Sequence, residues 1–193
     1  MQSSDFALKL VKEKYQGGNQ KRLNHILGVA KMASYLAKLY GVNENKALTA
    51  AYMHDYCKYD DFSDADKILT KEEYAECKEY PFLFHAYLSA YKYKELIGSD
   101  LDIFNAIYNH VFGRCGMSLL EAIIMVSDFT EENREYDSCI ECRKLLLETK
   151  DLNLGVYKSL ELTIAHLKKE NLSIHPRQLE VFNEYKRKVN LWV

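Results

Sequence analysis

The chain has 193 residues, of which 48% are hydrophobic and 28% charged, and this composition excludes a disordered or fibrous protein. With 26 basic and 28 acidic side chains, the net charge is -2. This balance excludes the broad basic surface that a nucleic acid polymer requires. A small anionic ligand stays compatible, because it needs only a local cluster of cations.

Five cysteines, an odd number in a chain of this size, favour a reduced, intracellular setting over a disulfide framework. The first 18 residues contain no uninterrupted apolar segment. No later segment approaches the roughly 18 apolar residues that would span a bilayer. We therefore expect a cytoplasmic protein that does not associate with a membrane.

Apolar residues recur mostly at three- and four-residue steps, and only two prolines and eight glycines interrupt the chain. This pattern predicts an all-α fold, a helical bundle with short turns. The predicted helices cover residues 5–15, 19–40, 45–57, 70–81, 84–97, 100–112, 119–130, a segment from 138, 153–170 and a segment from 175.

Several polar residues stand where helices are expected to begin. Asn19 can cap the second helix, and Asn43 or Asn45 can cap the third. Capping-box spacing predicts helix starts at Thr70, Ser118 and Ser138. The proline at 176 suits the first turn of the last helix.

The adjacent residues His54 and Asp55 are the most informative pair in the sequence. Neighbouring side chains on a helix point about 100° apart, so the pair can meet one metal only near a helix end, or can meet two metals. His25 lies on a preceding helix and Asp128 on a later apolar one, so these donors can converge in a bundle core. Once buried, they would be costly unless a cation satisfied them.

This pattern of histidine, His-Asp and aspartate resembles the HD-domain superfamily of metal-dependent phosphohydrolases. Residues 21–33, 50–60, 84–91 and 109–134 are similar, in this order, to the bacterial YqeK-type branch of symmetrical diadenosine tetraphosphate hydrolases. The resemblance covers about residues 20–150. It implies one HD-type domain over residues 1–193, in which residues 151–193 are a helical extension packed on the core.

The resemblance also implies a centre of two transition metal ions, divalent or trivalent. Its ligands would be His25, His54, Asp55, His85, His110 and Asp128. His85 and His110 would hold one ion, and His25, His54 and Asp128 would hold the other. Asp55 would bridge the two ions. Iron is the expected metal, and manganese, cobalt or zinc would also suit imidazole and carboxylate ligands.

The implied reaction is the symmetrical cleavage of diadenosine tetraphosphate into two ADP by metal-bound hydroxide. Asp55 and Lys58 are the expected catalytic residues. Four cations are candidate phosphate contacts: Arg22, Lys58, Arg114 and Arg134. Each of them could instead be an exposed, solvated side chain.

Two other functions stay open at this point. The same scaffold could hydrolyse a nucleoside monophosphate, a guanosine tetraphosphate-type alarmone or a cyclic nucleotide. It could also be a non-catalytic domain that binds a nucleotide and regulates a partner. In each case the molecule that the protein binds is a small nucleotide. A homodimer also stays open, because the amphipathic segment 153–170 can pack on this chain or on a copy of it.

Overall fold

The computed structural model describes residues 2–190, so Met1 and the last three residues of the predicted extension, 191–193, lie outside the described part. Within it the chain forms ten α-helices and one short 3-10 helix, Ala65–Lys67, with no strand, as the sequence predicted. The helices are α1 (Ser3–Tyr15), α2 (Gln20–Tyr40), α3 (Glu44–Met53), α4 (Lys71–Glu79), α5 (Leu83–Leu96), α6 (Leu101–Tyr108), α7 (Leu119–Thr130), α8 (Asp137–Thr149), α9 (Leu152–Lys169) and α10 (Pro176–Asn190).

Most of the predicted helix starts are confirmed. The side chains of Asn19 and Asn43 accept hydrogen bonds from backbone N–H groups in the first turns of α2 and α3. Thr70 and Ser118 form complete capping boxes at α4 and α7. Each cap satisfies backbone donors that have no partner within the helix.

The predicted capping box at Ser138 is wrong. Helix α8 begins one residue earlier, at Asp137, and Tyr136 occupies the cap position without a side-chain hydrogen bond. Ser138 therefore lies inside the first turn, where its hydroxyl is not placed to cap the helix.

Helix α3 also ends earlier than predicted, at Met53 rather than residue 57. Side chains from α1 and α5 form hydrogen bonds with backbone groups that would otherwise continue the helix. The Tyr15 hydroxyl lies 2.9 Å from the Asp55 carbonyl oxygen and 2.8 Å from that of Tyr56. The Cys57 N–H donates to the Ser89 hydroxyl at 3.0 Å. The segment with His54 and Asp55 thus becomes a turn held by α1 and α5.

The main hydrophobic core lies between α2, α3, α6 and α7, where small residues such as Ala33, Ala50 and Ala106 allow close helix packing. Helix α1 packs on α3 and α2, α5 packs on α6, and α4 packs on α5 through a second apolar cluster. Helix α9 packs on α7 and α8, and α10 packs on α9. None of the described helices combines the length and the apolar character that crossing a membrane would need.

Gly155 marks the closest approach between α9 and its neighbours. A Cβ added there would lie 2.8 Å from Leu146 Cδ1 and 3.4 Å from Val126 Cγ2. We expect Gly155→Ala to lower the free energy of unfolding by about 1–3 kcal/mol, because the buried side chain of Leu146 must shift to admit the methyl group. Urea denaturation measures this change.

The matched control is Gly18→Ala. A Cβ at Gly18 meets no atom within 4 Å. We expect a change of no more than about 0.5 kcal/mol there. Equal unfolding midpoints for the two variants would contradict the close approach at Gly155.

Candidate metal centre

The fold brings all six predicted ligands together from five parts of the chain. His25 lies on α2, His54 and Asp55 follow α3, His85 lies near the start of α5, His110 follows α6, and Asp128 lies near the end of α7. Their donor atoms form two groups, and within each group all of them lie within 4.8 Å of one another. The first group is His25, His54 and Asp128, and the second is Asp55, His85 and His110.

Asp55 stands between the two groups. Its Oδ2 lies 3.5 Å from His25 Nε2 and 3.4 Å from His54 Nε2. Its Oδ1 lies 3.0 Å from His85 Nε2 and 3.9 Å from His110 Nε2. One carboxylate oxygen therefore faces each group, which is the geometry that a bridging ligand needs.

The helix ends orient two of the imidazoles. His54 Nδ1 lies 2.7 Å from the Ala51 carbonyl oxygen, and His110 Nδ1 lies 2.7 Å from that of Ile107. Each carbonyl belongs to the last turn of a helix and has a free lone pair. Because Nδ1 donates to it, the lone pair of Nε2 is directed into the centre.

Glu131 orients the third imidazole, and the sequence analysis missed it. Its Oε1 lies 3.1 Å from His25 Nδ1, and the side chain is only 1% exposed. Its Oε2 accepts hydrogen bonds from the backbone and side-chain nitrogens of Asn133 at 2.7 and 2.9 Å. A carboxylate behind a ligating histidine is a recurrent feature of metal sites. A separation of 106 residues between the partners hid this pair in the sequence.

Gly28 leaves the space that Glu131 occupies. It lies one helical turn after His25 on α2, and a Cβ added there would come within 2.1 Å of Glu131 Oε2 and 2.7 Å of Asn133 Nδ2. No other residue type fits without displacing the carboxylate. The glycine is therefore part of the support for His25.

The electrostatics of the centre favour an anionic Asp55 and neutral His85 and His110, whereas His25 differs: burial would lower its pKa, but Asp128 and Glu131 raise it. Burial by itself would raise the pKa of Asp55, but His54, His85 and Lys58 together hold that pKa well below its usual range. Burial and the neighbouring imidazoles lower the pKa of His110 to about 3, and burial also lowers the pKa of His85. For Asp55, His85 and His110 these are the protonation states that metal binding requires.

Three donor atoms of the centre are buried without any hydrogen bond: His25 Nε2, His54 Nε2 and Asp55 Oδ1. Buried polar atoms of this kind are rare, since each one costs free energy. His25 Nε2 and His54 Nε2 belong to the first group, and Asp55 Oδ1 faces the second. The donor set therefore fits a cation at each group.

Three of the four predicted phosphate contacts lie at this centre. The guanidinium of Arg22 pairs with Asp55 Oδ2, and Arg134 Nη2 lies 2.6 Å from Asp128 Oδ1. Lys58 Nζ lies 3.1 Å from His85 Nε2 and 3.6 Å from Asp55 Oδ1. The two arginines also line an open cleft of about 560 Å³ beside His25.

Arg114, the fourth candidate, lies outside this cleft, and its contact with the phosphates stays a prediction. Its Nε and Nη2 atoms lie 2.7 Å from the two carboxylate oxygens of Glu121, which is buried. The guanidinium neutralises this buried carboxylate, and Arg114 does not line the cleft. A buried carboxylate is stabilised by a bidentate cation, but the local sequence does not show that Glu121 is buried.

Comparisons with known proteins agree with this geometry. The HD domain family matches residues 22–144. The chain is 38% identical to the symmetrical bis(5'-nucleosyl)-tetraphosphatase of Halalkalibacterium halodurans over 183 residues, which cover 92% of this chain and 94% of the relative. It is 36% identical to the protein of the same name in Bacillus subtilis, with the same coverage of both chains.

A solved structure has the same fold. It is the crystal structure of an HD superfamily hydrolase from Clostridium acetobutylicum, described as involved in NAD metabolism. The TM-score is 0.83 at 31% identity, and the match covers 95% of this chain and 97% of the other. The chain therefore belongs to the HD-domain family, in the branch that contains the symmetrical bis(5'-nucleosyl)-tetraphosphatases.

Proposed function

We propose that the protein hydrolyses diadenosine tetraphosphate symmetrically and releases two ADP. The observation that carries the proposal is the buried carboxylate of Asp55, whose two oxygens face two separate groups of metal ligands. The relatives that bear the name of this activity align with more than nine tenths of the chain. Residues 1–193 would then work as one HD-type domain in the cytoplasm, with a small nucleotide as partner.

We propose that two metal ions bind here, one at each group, with Asp55 as their shared ligand. When bound, such a pair supplies an activated water near neutral pH and neutralises charge on the phosphoryl oxygens. Iron is our proposed metal, and manganese, cobalt and zinc are the alternatives that suit the same ligands. The chain itself holds the ligands in place, through Glu131 behind His25 and through carbonyl groups behind His54 and His110.

Three cations supply the remaining positive charge. Arg22 and Arg134 line the cleft, so their guanidinium groups can contact the phosphate oxygens of a substrate bound there. Lys58 is half-buried beside His85 and Asp55. Its ammonium group would stabilise negative charge on the phosphate nearest to the ligand cluster.

The central experiment supplies metal-loaded protein with a panel of dinucleotides. We expect diadenosine tetraphosphate to yield ADP as the sole nucleotide product, measured by ion-exchange chromatography. AMP together with ATP would contradict symmetrical cleavage. Turnover of a monophosphate, an alarmone or a cyclic nucleotide in its place would favour another HD phosphohydrolase. Full metal occupancy without any turnover would favour a regulatory nucleotide-binding domain.

Gly28→Ala tests the support of His25. The added methyl must displace Glu131, so we expect affinity for the ion at the first group to fall roughly 10–100-fold. Competition with a chelator, followed by metal analysis, measures this affinity. Gly98→Ala is the control, because its Cβ would meet only the Tyr93 hydroxyl, at 3.6 Å.

A double variant separates this cause from general damage to α2. In a Glu131→Ala background the displaced carboxylate is already gone, so we expect Gly28→Ala to cause little further loss of metal. Additive losses in the two variants would show that the glycine acts on α2 itself and would contradict its role as space for Glu131.

Lys58→Met tests the charge beside His85. The methionine keeps most of the stem but removes the ammonium group, and we expect kcat to fall about 100-fold while metal content stays unchanged. Lys31→Met is the matched control, since Lys31 is exposed and pairs with Glu132 at the surface. A normal kcat in Lys58→Met would exclude the proposed role.

A further inference from the structure

Two exposed tyrosines line the cleft beside the metal centre. Among the described residues only three tyrosines are exposed, and two of them, Tyr59 and Tyr136, belong to this cleft. Their exposed fractions are 58% and 72%. The other tyrosines are buried or partly buried in packing contacts, so these two rings do not serve the core.

Tyr59 is held in place while much of its ring stays open to solvent. Arg22 Nη2 donates to its hydroxyl at 3.3 Å, and the Arg22 guanidinium lies 5.5 Å from its ring centroid. The Tyr15 ring meets it edge-on, with the centroids 6.4 Å apart. A ring fixed in this way loses little conformational entropy when a flat ligand stacks on it.

Tyr136 lies between α7 and α8, directly before the first residue of α8. Its backbone carbonyl accepts hydrogen bonds from the N–H groups of Cys139 and Ile140 at 2.9 and 3.0 Å, which fixes its backbone at the start of α8. It follows Arg134 by two residues, and both side chains line the cleft. An exposed aromatic ring therefore accompanies this arginine as well.

The cleft thus repeats one arrangement on two arms, each with a metal-ligand carboxylate, an arginine paired with it and an exposed tyrosine. The first arm is Asp55, Arg22 and Tyr59, and the second is Asp128, Arg134 and Tyr136. His25 joins the arms, because its Nε2 lies 3.5 Å from Asp55 Oδ2 and 3.1 Å from Asp128 Oδ1.

A dinucleoside polyphosphate presents the same order of groups twice, with phosphates at its centre and an aromatic base at each end. We propose that Tyr59 and Tyr136 are stacking platforms for the two nucleobases of such a substrate. This inference rests on the proposed function, and it adds how the ends of the substrate are recognised. Stacking on an aromatic side chain suits any base, so the tyrosines recognise the presence of a base and leave its identity to other contacts.

The test compares a ligand that carries a base with one that does not. ADP and inorganic pyrophosphate are titrated calorimetrically into metal-loaded protein, and KM is measured for diadenosine tetraphosphate. For Tyr59→Ala and Tyr136→Ala we expect at least about fivefold weaker ADP binding at one site and a similar rise in KM. Pyrophosphate binding should stay unchanged, because it makes no stacking contact.

Two further variants serve as controls. Tyr59→Phe keeps the ring and loses only the hydroxyl contact with Arg22, so it should retain ADP affinity. Tyr35→Ala removes the third exposed tyrosine, which lines a different groove, and should behave as the unmodified protein.

The outcomes separate this inference from the proposed function. If the unmodified protein does not cleave the dinucleotide, the proposed function fails, and the comparison of ADP with pyrophosphate still decides the stacking. If it does cleave the dinucleotide but both alanine variants keep its ADP affinity and KM, the stacking platforms are overturned. An equal loss of ADP and pyrophosphate binding also overturns them, because it would assign the tyrosines to the phosphate site.

Discussion

The arrangement of the helix ends follows from the burial of one carboxylate, that of Asp55. At 2% exposure it has lost nearly all of its contact with water, which is costly for an anion unless opposite charges and hydrogen-bond donors replace the solvent. Histidines from α2, α5 and the ends of α3 and α6 surround it, and Arg22 and Lys58 add charge. A bundle that buries one anion so completely has to bring several helix ends to the same point.

Two of those helix ends position histidines of the candidate metal centre. Helices α3 and α6 stop just before His54 and His110, and the free carbonyls of their last turns fix the two imidazoles. Helix α1 lies outside the HD match at residues 22–144, yet its Tyr15 holds the turn that carries Asp55. The family core alone therefore does not account for the position of the central carboxylate.

Several arginines pair with individual carboxylates nearby, which is consistent with a net charge of only -2. Arg22 and Arg134 neutralise the carboxylates of the centre and line the cleft, whereas Arg114 neutralises the buried Glu121. An arginine near a motif is therefore not by itself a substrate contact. Its role depends on which anion the fold places within reach of its guanidinium.

Helix periodicity and capping depend on neighbours three or four positions apart, so the helices, most of their caps and the residue types of the centre could be predicted from the sequence. The His-Asp pair and its family-like segments also indicated which six side chains would meet. The remaining features depend on how the helices pack against one another. Glu131 and Gly28 support His25 because helix packing brings α2 against α7 and the turn after it. Glu121 pairs with Arg114 because the turn before α7 brings the guanidinium to this buried carboxylate. Packing also ends α3 early, because the hydroxyl groups of Tyr15 on α1 and Ser89 on α5 form hydrogen bonds with the backbone of the segment after it. Contacts between residues distant in sequence leave no periodic signal, so no local pattern could reveal them.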